Sequence, residues 1–162
     1  SLALENAELN KLTDRIKIIQ GDIKSPPGQI SPYSFDVVIS NPPYIEIKDG
    51  EKNENEHIAC AKHEILCTLD DVIKCAYKLL KHGGTFAMIH RTQRILSKLH
   101  EAKLEPKEIV MIYPSKHKKS NLFMVKAQKG AGVWCDVRDP VYIYDENGNY
   151  TQSVKEMYFS GN

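Results

Sequence analysis

Between residues 35 and 44 an apolar, β-branched run, Phe35-Asp-Val-Val-Ile-Ser40, leads straight into Asn41-Pro42-Pro43-Tyr44. These residue types suit one task, handling an exocyclic or amide NH2 group. The nitrogen of such a group is a poor nucleophile because its lone pair is delocalised. The Asn41 side-chain oxygen and the Pro42 carbonyl are both acceptors for an NH2 donor, and together they favour the pyramidal, nucleophilic nitrogen without first removing a proton. Pro42 and Pro43 fix the backbone so that this carbonyl keeps its direction. Tyr44 offers a flat face on which a base can stack. The plainer reading is a tight turn after a strand, since Asn and Pro are common turn residues.

The elements that would hold this turn alternate between helix and strand. Residues 2–12 have a helical pattern with Leu2, Ala3, Leu9 and Leu12 apolar and no clear cap. Residues 16–20 read as a strand ending at Gly21-Asp22, and residues 35–40 as a second. An amphipathic helix is predicted over 65–80, with Thr68 and the Asp70-Asp71 pair as alternative starts and His82-Gly83-Gly84 as its stop. A third strand follows at 85–90, a helix at 91–104, a fourth strand at 108–113 and a fifth at 121–127. Beyond Gly130, Asn147-Gly148 between alternating segments signals a hairpin-like turn. This pattern predicts an α/β domain portion over residues 1–130 and a terminal β-hairpin extension over 131–162. Ligands of such sheets lie at the carboxyl ends of the strands, where Asp22, Asn41, His90 and Tyr113 fall.

The 162 residues, 41% hydrophobic and 27% charged, suit one domain with a real core. No apolar run approaches the roughly 18 residues that a bilayer span needs, and no signal-peptide pattern opens the sequence. The expected location is therefore the cytoplasm. Cys60, Cys67, Cys75 and Cys135 lack paired spacing and are expected to stay reduced there. With a formal net charge of +1, any RNA contact must rest on local basic patches.

The strand and its Asn41-Pro42-Pro43-Tyr44 turn resemble the Asn-Pro-Pro-Tyr site of class I S-adenosylmethionine-dependent N-methyltransferases, which have a Rossmann-like sheet. The resemblance implies that Asp22 accepts from the adenine amine of the cofactor, that the Ile23 backbone N–H meets its ring, and that Asn41 lies beside both cofactor and substrate. An Asx turn or a helix cap is the plainer role for Asp22. Within the family, several stretches are similar to the bacterial adenine-N6-methyltransferases of a valine tRNA, the branch with a small methyltransferase domain. They are Asn41 to Tyr44, Asn55 to Ala59, His63-Glu64, Cys67 to Asp71, Gly83-Gly84, His90-Arg91, Glu105-Pro106 and Tyr113-Pro114. The implied reaction is methylation of the N6 amine of adenine in RNA, with tRNA as substrate. Methylation of a protein glutamine through a similar turn is the alternative, and a non-catalytic RNA-binding scaffold is the rival from another class.

A Gly-rich turn after a first strand and an acid after a second are usual in that family upstream of the residue 2–12 helix, and neither is present. The sheet is therefore expected to be incomplete on its amino-terminal side, with a gap beside the residue 35–40 strand. No competent cofactor site is expected in this stretch alone, and a homodimer is expected to cover the exposed edges.

Arg91 and Arg94, in the expected first turns of a helix, sit where the dipole disfavours cations, which suggests phosphate contact as readily as two solvated arginines. Lys116, Lys118 and Lys119 form a basic loop suited either to an RNA backbone or simply to water. Residues 46–56 read as a flap over the base pocket or as a disordered loop. His57, Cys60, His63 and Cys67 would crowd one helix, which is poor geometry for a tetrahedral metal, so no metal is expected. Trp134, Tyr142, Tyr144, Tyr150 and Tyr158 are better explained by packing of the terminal hairpin than by base stacking.

Overall fold

In the computed structural model the described residues are 1–42, 67–91, 94–120 and 122–159. They form α1 (Leu2–Leu9), β1 (Phe35–Ser40), α2 (Leu69–Leu79), β2 (Leu80–His90), α3 (Arg94–Glu101), β3 (Leu104–Tyr113), β4 (Leu122–Lys129), β5 (Asp136–Val137), β6 (Val141–Tyr142) and α4 (Gln152–Phe159).

A mixed six-stranded sheet organises the chain, in the order β1-β2-β4-β3-β5, with β6 also pairing β3. β1 runs parallel to β2, with Ser40 opposite Met88. β4 lies antiparallel to both β2 and β3. It follows that β1, β2 and β3 point the same way and share one carboxyl edge. β5 and β6 join β3 in parallel, β6 matching Tyr113 to Tyr142.

Alternation along β2 and β4 puts Phe86 and Met88 together with Phe123, Val125 and Ala127 on one buried face. Helices α2 and α3 cover it with Val72, Ile73 and Ala76 and with Ile95 and Leu99, residues three or four apart on each helix. α2 starts on a reciprocal cap. The Thr68 hydroxyl accepts from the Asp71 N–H at 3.2 Å, and the Asp71 carboxylate accepts from the Thr68 N–H at 2.9 Å. These bonds with Thr68 hold the Asp71 carboxyl below its ordinary value.

The expected α/β architecture is present, with several boundaries moved. α1 stops at Leu9, and Lys11 takes a left-handed φ of 54° just beyond it. Residues 16–20, expected as a strand, are irregular, and Ile16 and Ile18 are each 43% exposed. A strand needs a neighbour for its ladder, and among the described residues none pairs with this segment. α2 begins at the Thr68 start and ends at Leu79 rather than at His82-Gly83-Gly84, because β2 takes over directly at Leu80. The turn residues lie inside β2, where Gly83 has φ 77° and the register with β1 jumps from Phe35↔Leu80 to Val37↔Thr85. β3 starts at Leu104, four residues earlier than expected, and absorbs Pro106 through an irregularity beside it.

The Asn147-Gly148 turn forms, with Gly148 at φ 80° and a single bridge between Tyr144 and Tyr150. The tail differs from a simple hairpin in two ways. Residues before the turn dock on β3 as β5 and β6, and residues after it form α4, which buries Val154.

Candidate active site

Asn41 follows the last residue of β1 and is exposed, and Pro42 beside it is half-buried. Pro43 and Tyr44 lie outside the described residues, as do the 46–56 loop, the Asn55 to Ala59 and His63-Glu64 stretches, and the His57, Cys60 and His63 group. Because β1 ends level with Met88 of parallel β2, Asn41 opens onto the edge where His90 closes β2 and Tyr113 closes β3.

The helix between the two parallel strands brings a second segment to that edge. Tyr33 and Ser34 donate backbone N–H groups to the carbonyls of Lys78 and Leu79 at 2.9 and 3.0 Å, so α2 ends where β1 begins. Its start therefore points to the carboxyl edge. Burial pushes up the thiol of Cys67, just ahead of α2, and the charges of Asp71, Lys24 and Asp22 act on it as well. Asp22 itself sits in an Asx turn, its Oδ1 accepting the Lys24 N–H at 2.9 Å, with Ile23 37% exposed between them. The Asx turn does not use the whole carboxylate. A carboxylate acceptor next to a main-chain donor matches the edge of an adenine ring.

The basic residues separate. Arg91 lies ahead of α3 rather than in its first turn, and Arg94 is the first helical residue, so the dipole argument is confined to Arg94. Lys116, Lys118 and Lys119 are exposed in the loop leaving β3 at the same carboxyl edge as Asn41. Trp134 falls elsewhere, since it precedes β5, which pairs with the middle of β3 at Glu108 and Ile109.

Sequence reasoning assigned the tail tyrosines to packing, whereas Tyr144, Tyr150 and Tyr158 are 41%, 46% and 73% exposed. Tyr144 stacks on Tyr150 at 5.3 Å between ring centres, and Tyr142 meets Tyr113 at 5.4 Å. The Tyr-x-Tyr repeat before the Asn-Gly turn was the available signal. It marks one face of a strand, which packing and binding use equally.

Among the described residues no three His, Cys, Asp or Glu side chains gather as a metal site, and no helix is long and apolar enough to cross a membrane.

A parallel strand pair with a crossover helix, an antiparallel strand set between β2 and β3, and Asn41-Pro42 at the carboxyl edge give a Rossmann-like architecture. The chain belongs to the Eco57I restriction-modification methylase family, whose pattern matches residues 3–123. It is 32% identical over 87 residues to a tRNA1(Val) (adenine(37)-N6)-methyltransferase of Bacteroides thetaiotaomicron, a match covering 54% of this chain and 35% of that protein. A protein of the same name from Yersinia pseudotuberculosis is 30% identical over 91 residues, covering 54% and 33%. The matches thus span about a third of the length of these relatives. Among solved structures, an Agrobacterium tumefaciens protein described as a predicted O-methyltransferase superposes with a TM-score of 0.68 at 20% identity, over 96% of this chain and 69% of that one. The M protein of the type I restriction enzyme EcoKI does so at 0.56 and 15% identity, over 97% and 37%. These structural likenesses establish the fold.

Proposed function

We propose that the protein takes part in S-adenosylmethionine-dependent methylation of the N6 amine of adenine in RNA, with tRNA as the substrate, and that it works in the cytoplasm. The observation that carries the reading is the position of Asn41 and Pro42 directly after β1, at the carboxyl edge shared by three co-directional strands. Support also comes from the adenine-N6-methyltransferase relatives, whose names specify both the atom and the RNA.

In this reading the Asn41 oxygen and the Pro42 carbonyl accept the two amine hydrogens, which turns the nitrogen lone pair out of the base plane. Pro43 stiffens the turn and Tyr44 stacks the base once it has left its neighbours. Asp22 and the Ile23 N–H would hold the adenine of the cofactor, which supplies an electrophilic methyl group when bound. No proton need leave before the methyl group arrives, so the chain needs no strong base at Asn41. Arg91, Arg94, Lys116, Lys118 and Lys119 would contact the RNA backbone.

A methyl-transfer assay on a turnover-competent form of the enzyme, with a labelled donor, tests this reading by offering tRNA, duplex DNA and a glutamine-bearing protein side by side. Label entering tRNA ahead of the other two is the expected result. Label entering the protein instead would transfer the site to amide chemistry, which the same Asn-Pro turn can serve.

A further inference from the structure

Four strand positions from Asn41, a groove of about 620 Å³ opens between the loop that leaves β3 and the turn that follows β6. Lys116, His117, Tyr142, Tyr144, Asp145 and Glu146 line it. We infer that this groove receives an unstacked nucleobase of the same single-stranded RNA whose adenine reacts at Asn41, an inference that rests on the RNA reading above.

Size comes first. A cavity of this volume lies within the range that takes a ligand of nucleotide size. Its walls divide by chemistry in the way that a nucleotide divides. Tyr144, stacked on Tyr150 at 5.3 Å and 14° between ring planes, gives an aromatic surface that remains 41% exposed. Base stacking on such a surface tolerates any sequence, because every base has a π face. Lys116 stands exposed on the loop side, followed by Lys118 and Lys119, and supplies positive charge for the sugar-phosphate backbone.

The two acids in the groove lining do not contradict a polyanionic ligand. Asp145 Oδ1 already accepts the N–H groups of Asn147 and Asn149, both at 2.9 Å, so that oxygen serves the turn. A carboxylate in the lining of a base-sized groove also accepts from the exocyclic amines of adenine, cytosine or guanine. Aromatic ring, carboxylate acceptor and lysine in one lining therefore match base, base edge and backbone.

Position ties the groove to the reaction. β1, β2 and β3 are co-directional and β6 is parallel to β3, so Tyr142 leaves the sheet at the edge where Asn41 does. Four strand spacings are about 19 Å. An RNA loop whose target base is held at Asn41 would therefore track along one edge of the sheet, over the Arg91 region and the lysine loop, to reach the groove.

Binding of short single-stranded RNAs to the chain tests this, using a series in which one residue at a time is abasic. Tyr144→Ala is expected to weaken binding of the intact RNA about tenfold, the scale of one lost stacking interaction. One abasic position should cost the wild type a similar factor and cost Tyr144→Ala almost nothing, because base and ring are then already uncoupled. Tyr144→Phe should bind as the wild type does, and Trp134→Ala, remote from the groove, should also leave binding unchanged. Lys116→Ala leaves the tyrosines in place and should make the salt dependence shallower by about one unit.

Equal affinities for wild type and Tyr144→Ala would overturn the inference while leaving the RNA reading intact. So would an abasic penalty that is the same in both proteins. A wild-type chain that binds no RNA in any form would overturn the RNA reading, and this inference with it.

Discussion

Lys129 closes the end of helix α2 through Tyr77: its ammonium donates to the Tyr77 carbonyl at 2.6 Å and lies 4.0 Å from the centre of the same residue's ring. A second bond goes to the Leu80 carbonyl at 2.8 Å, and the Tyr33 ring lies 4.3 Å away on another side. The ammonium is the cation that a helix C-terminus favours, supplied from β4 rather than from the helix itself. It also fixes the place where α2 hands over to β2, and hence the parallel alignment of β2 with β1.

Lys129→Met should therefore destabilise the fold by about 2–3 kcal/mol, the scale of charged hydrogen bonds lost from a buried donor. Urea unfolding measures it. A change within a few tenths of a kcal/mol would show that the helix end is solvated rather than held.

The cap at the other end of α2 gives a pH dependence. Asp71 titrates below its ordinary value of 3.8 because the Thr68 bonds favour its charged form. The unfolded chain therefore binds more protons at this residue in the interval beneath 3.8, so the stabilisation is complete above that value and is lost as pH falls through the lower folded value. Asp71→Asn should reduce stability at neutral pH and flatten the acid side of the stability curve. Thr68→Ala should cost about 1 kcal/mol. Thermal melts across the acid range would contradict this account if wild type and Asp71→Asn ran parallel.

At the sheet margin, β1 is paired only on its β2 side among the described residues, and Val37 and Ile39 are 57% and 78% exposed. We expect self-association through this margin, rising with concentration and relieved by Ile39→Lys, since a charge on an edge strand opposes pairing. Sedimentation at several concentrations decides it, and a constant monomer mass for the wild type would rule the edge out as a contact.

For the basic loop, the double replacement Lys118→Ala, Lys119→Ala should make the salt dependence of RNA affinity shallower by up to about one unit per lost phosphate contact. In a turnover-competent form of the enzyme, methylation of a free adenine nucleoside analogue should hardly change. Parallel salt slopes would remove the loop from the RNA path.

The sequence made the strand that carries Asn41 more legible than the elements around it. Phe35 to Ser40 formed the strand expected from its β-branched run, because one covalent neighbourhood carries both the hydrophobic signal and the Asn-Pro stop. Thr68 and Asp71 announced the start of α2 for the same local reason. Residues 16–20 carried a strand pattern equally well, yet strand formation depends on a ladder partner, which the pattern alone does not specify. Gly83-Gly84 resembled a helix stop and became an irregularity in β2, since glycine marks a change of direction without saying which element makes it. The tail tyrosines pack on one another and on Tyr113 yet Tyr144, Tyr150 and Tyr158 stay exposed, because alternation identifies a shared face and says nothing of what covers that face.

The most direct measurement on the central claim is mass spectrometry of nucleosides from tRNA methylated by a turnover-competent form of the enzyme, compared with its Asn41→Ala variant. The account predicts N6-methyladenosine in the wild-type product, with turnover about a hundredfold lower after Asn41→Ala, the scale of one lost transition-state hydrogen bond, and cofactor affinity changed far less. Methyl groups at another atom of the nucleoside, or an unchanged turnover number in Asn41→Ala, would contradict it.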